Sequence, residues 1–186
     1  MTATATELTA ALDHLRAAPA AEGTLALVVR RPAVDQREIL AEGRLDPADG
    51  LVGDNWLSRA TSHAIAEGRH LEAQLNVMSA RMVALLAERP EEQALAGDQL
   101  FVDLDISHTN LPTGTRLAIG DPDAGGAVIE VTKKPHNGCA KFRARFGDDA
   151  VAFVNSEEGK ELRLRGFNAR VVQPGSVRPG DPVRKL

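Results

Sequence analysis

Cysteine is nearly absent from this chain of 186 residues; Cys139 stands alone. No intramolecular disulfide can form and one thiol cannot hold an iron–sulfur cluster, which fits a reducing compartment. Tyrosine is missing and aromatic residues make up only 3% of the chain, so the core must be filled by Val, Leu, Ile and Ala. Few aromatics also means few stacking platforms for single-stranded nucleic acid. No apolar run approaches membrane-spanning length, the stretch at 82–87 being about as long as any. The first seven residues lack the basic start and apolar core of a secretory signal. Walker, G-x-G-x-x-G, Cys-x-x-Cys, H-E-x-x-H and G-x-S-x-G motifs are all absent. These absences predict a soluble cytoplasmic protein whose partners are neither membranes nor nucleic acid.

What the chain does contain is charge, unevenly placed. The formal net charge is -4, yet from residue 133 onward there are 12 Lys and Arg against 6 Asp and Glu, and before it 10 against 20. A basic final third surrounds the cysteine, and such a local field favours a small anionic ligand. With 43% hydrophobic residues, the chain can bury the core of one domain.

Thr4 and Glu7 have capping-box spacing ahead of Leu8, Leu12 and Leu15, so a helix is expected to about Arg16, ended by Pro19 and Gly23. Residues 1–22 read as a helical appendage and 23–186 as the main domain. Strands are predicted at 24–30, 37–42, 71–77, 101–107, 116–119, 127–131, 165–172 and 182–184, separated by Gly- and Pro-rich turns. Gly50 and Gly53 flank a Leu-Val pair and read as an ordinary loop. Ser79 caps a helix that carries Met82, Val83, Leu85 and Leu86 and stops at Pro90. Asp103 and Asp105 alternate with apolar residues, as expected for a strand with one solvated face. The fold class is mainly β with helical insertions (α+β), a barrel rather than a doubly wound sheet.

Cys139 follows a strand (Val128-Ile129-Glu130-Val131) and a loop containing Pro135, His136, Asn137 and Gly138. Phe142 and Phe146 then share a helix face with it. The thiol is therefore expected at a helix N-terminus, where unpaired backbone N–H groups favour thiolate. Lys133, Lys134, Lys141, Arg143 and Arg145 add positive charge. Lone cysteines also serve as small buried hydrophobes, and both readings stand on this pattern alone. A cysteine hydrolase using His136 is weaker, since no orienting group or oxyanion hole is legible.

The ordered motifs carry a resemblance. They are Gly50-Leu51-Val52-Gly53-Asp54, Gly97-Asp98-Gln99-Leu100, Leu117-Ala118-Ile119-Gly120, Gly138-Cys139-Ala140-Lys141-Phe142, Arg165-Gly166-Phe167-Asn168-Ala169-Arg170 and Gly175-Ser176-Val177-Arg178-Pro179-Gly180-Asp181. In this order the chain, from about Gly23 to the end, resembles the MOSC family, named after the C-terminal domain of molybdenum cofactor sulfurases. The resemblance implies a MOSC-like β-barrel and the molybdenum cofactor (molybdopterin), with Cys139 as metal ligand and catalytic residue. A soft thiolate suits such a centre. Lys141, Arg170 and Arg81, with His108, Asn110, His136 and Asn168, are the implied cofactor contacts. The implied activity is reduction of N-hydroxylated or similar small molecules with an external electron donor protein. The alternative is a sulfur carrier, holding a persulfide on Cys139 for transfer to an acceptor. Two positions differ from the family pattern: Gly138 stands where proline is usual, and Asn55 where arginine or histidine is.

Overall fold

The computed structural model describes residues 3–186; Met1 and Thr2, the start of the expected appendage, lie outside the described residues. In chain order the elements are α1 (Ala5–Ala10), α2 (Leu12–Arg16), β1 (Glu22–Arg30), β2 (Glu38–Ile39), β3 (Gly43–Asp46), β4 (Gly50–Leu51) and α3 (Ser62–Ala66). Next come β5 (Leu75–Ser79), α4 (Ala80–Leu86), α5 (Pro90–Gln93), β6 (Leu100–Asp103), β7 (Arg116–Ile119) and β8 (Ala127–Val131). The chain ends with α6 (Ala140–Asn155), α7 (Glu157–Glu161), β9 (Phe167–Gln173), β10 (Gly175–Val177) and β11 (Pro182–Lys185).

Seven strands close into a barrel in the order β1, β6, β5, β9, β8, β7, β11 and back to β1. Only β5 and β6 run parallel, and α4 with α5 supplies the crossover that a parallel neighbour requires. Closure leaves no long sheet edge to template association. A second sheet, β10–β3–β4, sits beside the barrel. The expected barrel is thus present; the strands at 116–119 and 127–131 lie where the sequence pattern puts them, β1 and β11 run longer, and others are shorter. The strand expected at 37–42 is only Glu38–Ile39, and that expected from 71 starts at Leu75 after a 3-10 turn.

Strand alternation builds two cores. Leu25, Val28, Leu75, Val77, Leu100 and Val102 fill the barrel interior, while Leu27, Val29, Met78 and Phe101 face outward against helices. A register shift between Leu25 and Leu27 in the β1–β6 pairing lets both sets stay buried. Leu8 and Leu15 from α1 and α2, and Phe142 and Phe146 from α6, complete the outer core. The Thr4–Glu7 capping box forms as expected. Ser79 accepts from the Met82 N–H at 3.2 Å, the cap read from sequence.

Helix α6 breaks at Gly147, whose φ of 89° is available to glycine at little cost. The break turns the second half of the helix back beneath the loop before Cys139. Asn155 then receives the Gly138 N–H at 2.9 Å and donates to the Gly138 carbonyl at 3.0 Å. A Cβ on residue 138 would lie 2.9 Å from Val151 and Val154 methyls, which explains glycine at this position. Phe142, 1% exposed, anchors α6 to the barrel. Phe142→Ala is expected to cost about 3–5 kcal/mol in urea unfolding. A loss under about 1 kcal/mol would mean the outer core collapses onto the gap.

Candidate functional site: an arginine-lined cleft beside Cys139

The site begins with a buried polar network at the mouth of the barrel. Arg31, at the end of β1, is 4% exposed and forks onto Asp54 at 2.8 and 2.9 Å. Its remaining donor reaches Asn76 Oδ1 at 2.9 Å and the Gly97 carbonyl at 2.8 Å. Asn76 donates to Asn168, and Asn168 in turn donates to the carbonyls of Lys134 at 3.0 Å and Pro135 at 3.2 Å. The loop ahead of the cysteine is therefore tied, through four side chains, to the segment Gly50-Leu51-Val52-Gly53-Asp54. That segment is more than an ordinary loop. Gly50 has φ +67° and Gly53 φ +83°, and a Cβ at either would crowd Trp56 or Arg30.

A second anchor is Asp98, fully buried, which accepts from Arg165 Nη1 at 2.6 Å and pairs with His136 Nε2 at 2.7 Å. Burial opposes ionisation of Asp98, but Arg165 and His136 together hold its carboxyl below the usual range. Burial, followed by the Arg165 charge, pushes His136 below its ordinary value against the pull of Asp98. With Asp98 ionised, Nε2 must carry the proton, and a neutral ring leaves Nδ1 as an acceptor. Arg165 also lies over the Phe142 ring, 4.8 Å from its centre, joining this anchor to α6.

Cys139 is exposed and occupies the N-cap position of α6 in extended conformation, as its sequence context predicts. It lines a cavity of about 170 Å³ with Arg31, Arg37, Arg59, Arg145, Lys141 and His136. An adjoining cavity of about 450 Å³ shares Arg59, Asn76 and His136 and adds Asn168, Lys134 and Trp56. Trp56 stacks on His70 there, ring centres 5.7 Å apart and planes within 3°. The cations are unequally neutralised. Arg31 has Asp54, Arg165 has Asp98 and Arg145 has Asp35 at 3.1 Å. Arg37 and Arg59 have no carboxylate partner among the described residues, and Arg37 Nε is buried with no acceptor. Burial, then the neighbouring Arg145 and Arg31 charges, holds Arg37 below its ordinary range; burial, then Arg31, does the same to Arg59.

Of the residues named from sequence, Cys139, Lys141, His136 and Asn168 come together along these two cavities. His108 lies in a third cavity that shares the His136 wall. The other three lie elsewhere. Arg81 pairs with Asp103 at 2.5 Å and donates to the His14 carbonyl. Arg170 pairs with Glu130 at 2.5 Å on the barrel wall. Asn110 donates to the carbonyls of Ala20 and Asp105. Sequence reasoning missed Arg31, Arg37, Arg59, Asp54, Asn76 and Asp98 as site residues. The motif glycines beside Asp54 and Asp98 were the available signal; nothing local marks Arg37 or Arg59.

Among the described residues no group of three or more His, Cys, Asp or Glu is arranged to hold a bare metal ion, and no helix is long and apolar enough to cross a membrane. One exposed thiol beside guanidiniums that form no ion pair instead suits an anionic group that brings its metal already chelated.

A family model described as "MOSC domain" matches residues 64–184. Solved structures share the fold. The YuaD protein from Bacillus subtilis is 16% identical at TM-score 0.56, covering 87% of this chain and 94% of that one. YiiM from Escherichia coli is 20% identical at TM-score 0.53, covering 88% and 69%. YiiM from Geobacillus stearothermophilus is 14% identical at TM-score 0.51, covering 88% and 73%. No curated protein sequence matches the chain.

The half-buried His136 gives a pH test. Because the folded value of His136 is lowered, the unfolded chain binds more protons just below the ordinary histidine value of about 6.5. Stability is then fully present above that pH and is lost as pH falls through the window below it. His108, lowered by burial and by Arg163, contributes in the same direction. Urea midpoints should fall between pH 7 and 5, by at most about 1.4 kcal/mol per pH unit for one proton. His136→Gln should flatten that slope; an unchanged slope would assign the titration elsewhere.

Proposed function

The chain belongs to the MOSC domain family, a family associated with molybdenum cofactor binding, and on that premise we propose that it holds this cofactor in the arginine-lined cleft and works as an oxidoreductase. The observation that carries the reading is the exposed Cys139 thiol opening onto a cavity where Arg37 and Arg59 form no ion pair among the described residues. Cys139 is the ligand to the metal. Arg37, Arg59 and Lys141 hold the anionic end of the pterin, and Asn168 and Asn76 fix the loop against which it lies. When bound, the cofactor supplies two-electron redox chemistry at its metal. The substrate class is small N-hydroxylated or similar molecules.

The protein's own part is binding, orientation and proton supply. Cleaving an N–O bond by two electrons consumes two protons and releases water, so a proton-holding group is needed near the substrate. His136 serves through Nδ1, with Nε2 fixed on Asp98 and the ring neutral before it takes a proton. The His70 ring, backed by the buried Trp56 on which it stacks, offers a flat face for a planar part of cofactor or substrate in the larger cavity. Electrons come from a separate donor protein in a reducing, cytoplasmic setting.

Exposure of Cys139 also favours a second reading, a sulfur carrier that presents a persulfide to an acceptor protein. The two readings separate by analysis of protein made in a strain that synthesises the cofactor. Molybdenum and pterin should copurify and be lost in Cys139→Ser, with Arg37→Gln retaining several-fold less. Well-folded protein without molybdenum, carrying about one extra reductant-labile sulfur on Cys139, would instead establish the carrier.

Because the thiol is solvent-exposed, Cys139→Ser should shift the urea midpoint of the cofactor-free protein by less than about 0.5 kcal/mol. Native Cys139 should react with a thiol reagent without prior unfolding. A slow thiol together with a loss of about 1–3 kcal/mol would mark it as a packing residue.

A further inference from the structure

Beyond α7 the chain does something a non-glycine residue rarely does. Arg163 adopts φ 49°, in the left-handed region where an L side chain is strained. The conformation is held by a short turn, the Gly166 N–H donating to the Arg163 carbonyl at 2.6 Å. The turn directs an arginine side chain inward, leaving the residue 8% exposed. Its guanidinium sits 6.0 Å from the centre of the Phe167 ring and gives one hydrogen bond, from Nη1 to the Leu111 carbonyl at 2.6 Å. No carboxylate lies within ion-pair distance of it among the described residues. A buried charge in that state is costly unless something anionic completes it.

The cavity wall is of the same sign, although the Glu161 carboxylate lies beyond it, near Arg163 and His108. Arg163 lines a cavity of about 270 Å³ with Lys133, Lys134, Lys160 and His108, and no Asp or Glu is on its wall. Arg165 borders it too, and its Nε is buried with no acceptor although its other nitrogens serve Asp98 and Ala96. The cavity shares His136 and Arg165 with the Cys139 cavity, and Lys134, Pro135 and His136 with the larger one beside it, but Cys139, Arg37, Arg59 and Arg145 do not line it. Burial holds the Arg163 guanidinium below its ordinary range, against the opposing pull of the nearby Glu161 carboxylate, which forms no ion pair with it.

We propose that this cavity is a separate oxyanion site that binds a phosphate group, free or carried on a small phosphomonoester. The buried Arg163 fork takes the oxygens, and Lys133, Lys134 and Lys160 close the rim. A guanidinium matches phosphate geometry with two parallel N–H···O bonds, and exposed lysines add charge without fixed geometry. The assignment is independent of what Cys139 binds.

The test is calorimetric titration of the purified chain with inorganic phosphate and, separately, phenyl phosphate at fixed ionic strength. Saturable binding of at least one is expected. Arg163→Gln should weaken it roughly tenfold or more, the effect of removing charge-assisted bonds. The double variant Lys133→Gln/Lys160→Gln changes exposed side chains only, so it keeps the test valid if Arg163→Gln fails to fold. It should weaken binding several-fold. Arg37→Gln and Cys139→Ser should bind as wild type does. Tighter phenyl phosphate binding would assign an organic phosphate, and equal binding the free ion. Absence of saturable binding overturns the proposal. So does binding that is lost in Arg37→Gln and intact in the lysine variant, since the anion would then sit in the Cys139 cleft.

Discussion

Asp98 is the constraint on which the rest of the site depends. A carboxylate with no solvent contact must be neutralised from within the protein, and removing either partner would strand a buried charge. Arg165 and His136 meet that demand from two separate segments, one ahead of β9 and one in the loop after β8. The electrostatic requirement thereby becomes a positional one. His136 cannot leave without uncovering Asp98, so the three residues leading to Cys139 start from a fixed point. Arg31 and Asp54 repeat the device beside it, and Asn76 and Asn168 link that pair to the same loop.

The barrel makes this possible because its strands are buried on both faces. With almost no aromatic residues, Val, Leu and Ile must pack two cores, one inside the barrel and one under the helices. The polar network occupies the mouth, where the strands end and the inner core stops. Hydrophobic packing thus supplies rigidity, and the buried ions supply register.

Legibility in the sequence followed the range of the interactions. The barrel, the Ser79 cap, the Thr4–Glu7 box and the N-cap position of Cys139 could be read because each rests on residues a few positions apart. Strand ends were less legible: Glu38–Ile39 and Leu75–Ser79 are cut short by pairing registers that alternation does not encode. The charge asymmetry pointed at the wrong arginines. Six of the basic residues of the final third, Arg143, Arg145, Arg165, Arg170, Arg178 and Arg184, are paired with carboxylates, as Arg143 is with nearby Asp148 and Arg178 with distant Glu42. Arg37 and Arg59, which form no ion pair among the described residues, come from the acidic part of the chain and reach the cleft only through tertiary folding. Arg81, Arg170 and Asn110 had the right chemistry for ligand contact but are engaged elsewhere for the same reason.

The break at Gly147 has a mechanical meaning. Asn155 meets Gly138 across seventeen residues, so the segment between them is a closed loop with the thiol at its mouth. Ser156, next in the chain, caps α7 by accepting from Gly159, and Gly159 and Lys160 are part of the wall around Arg163. Cys139 and the Arg163 cavity therefore ride on one clasp rather than on two independent loops. A shift of the thiol by even a fraction of an ångström must be taken up at the foot of α7, or the Asn155 clasp must open.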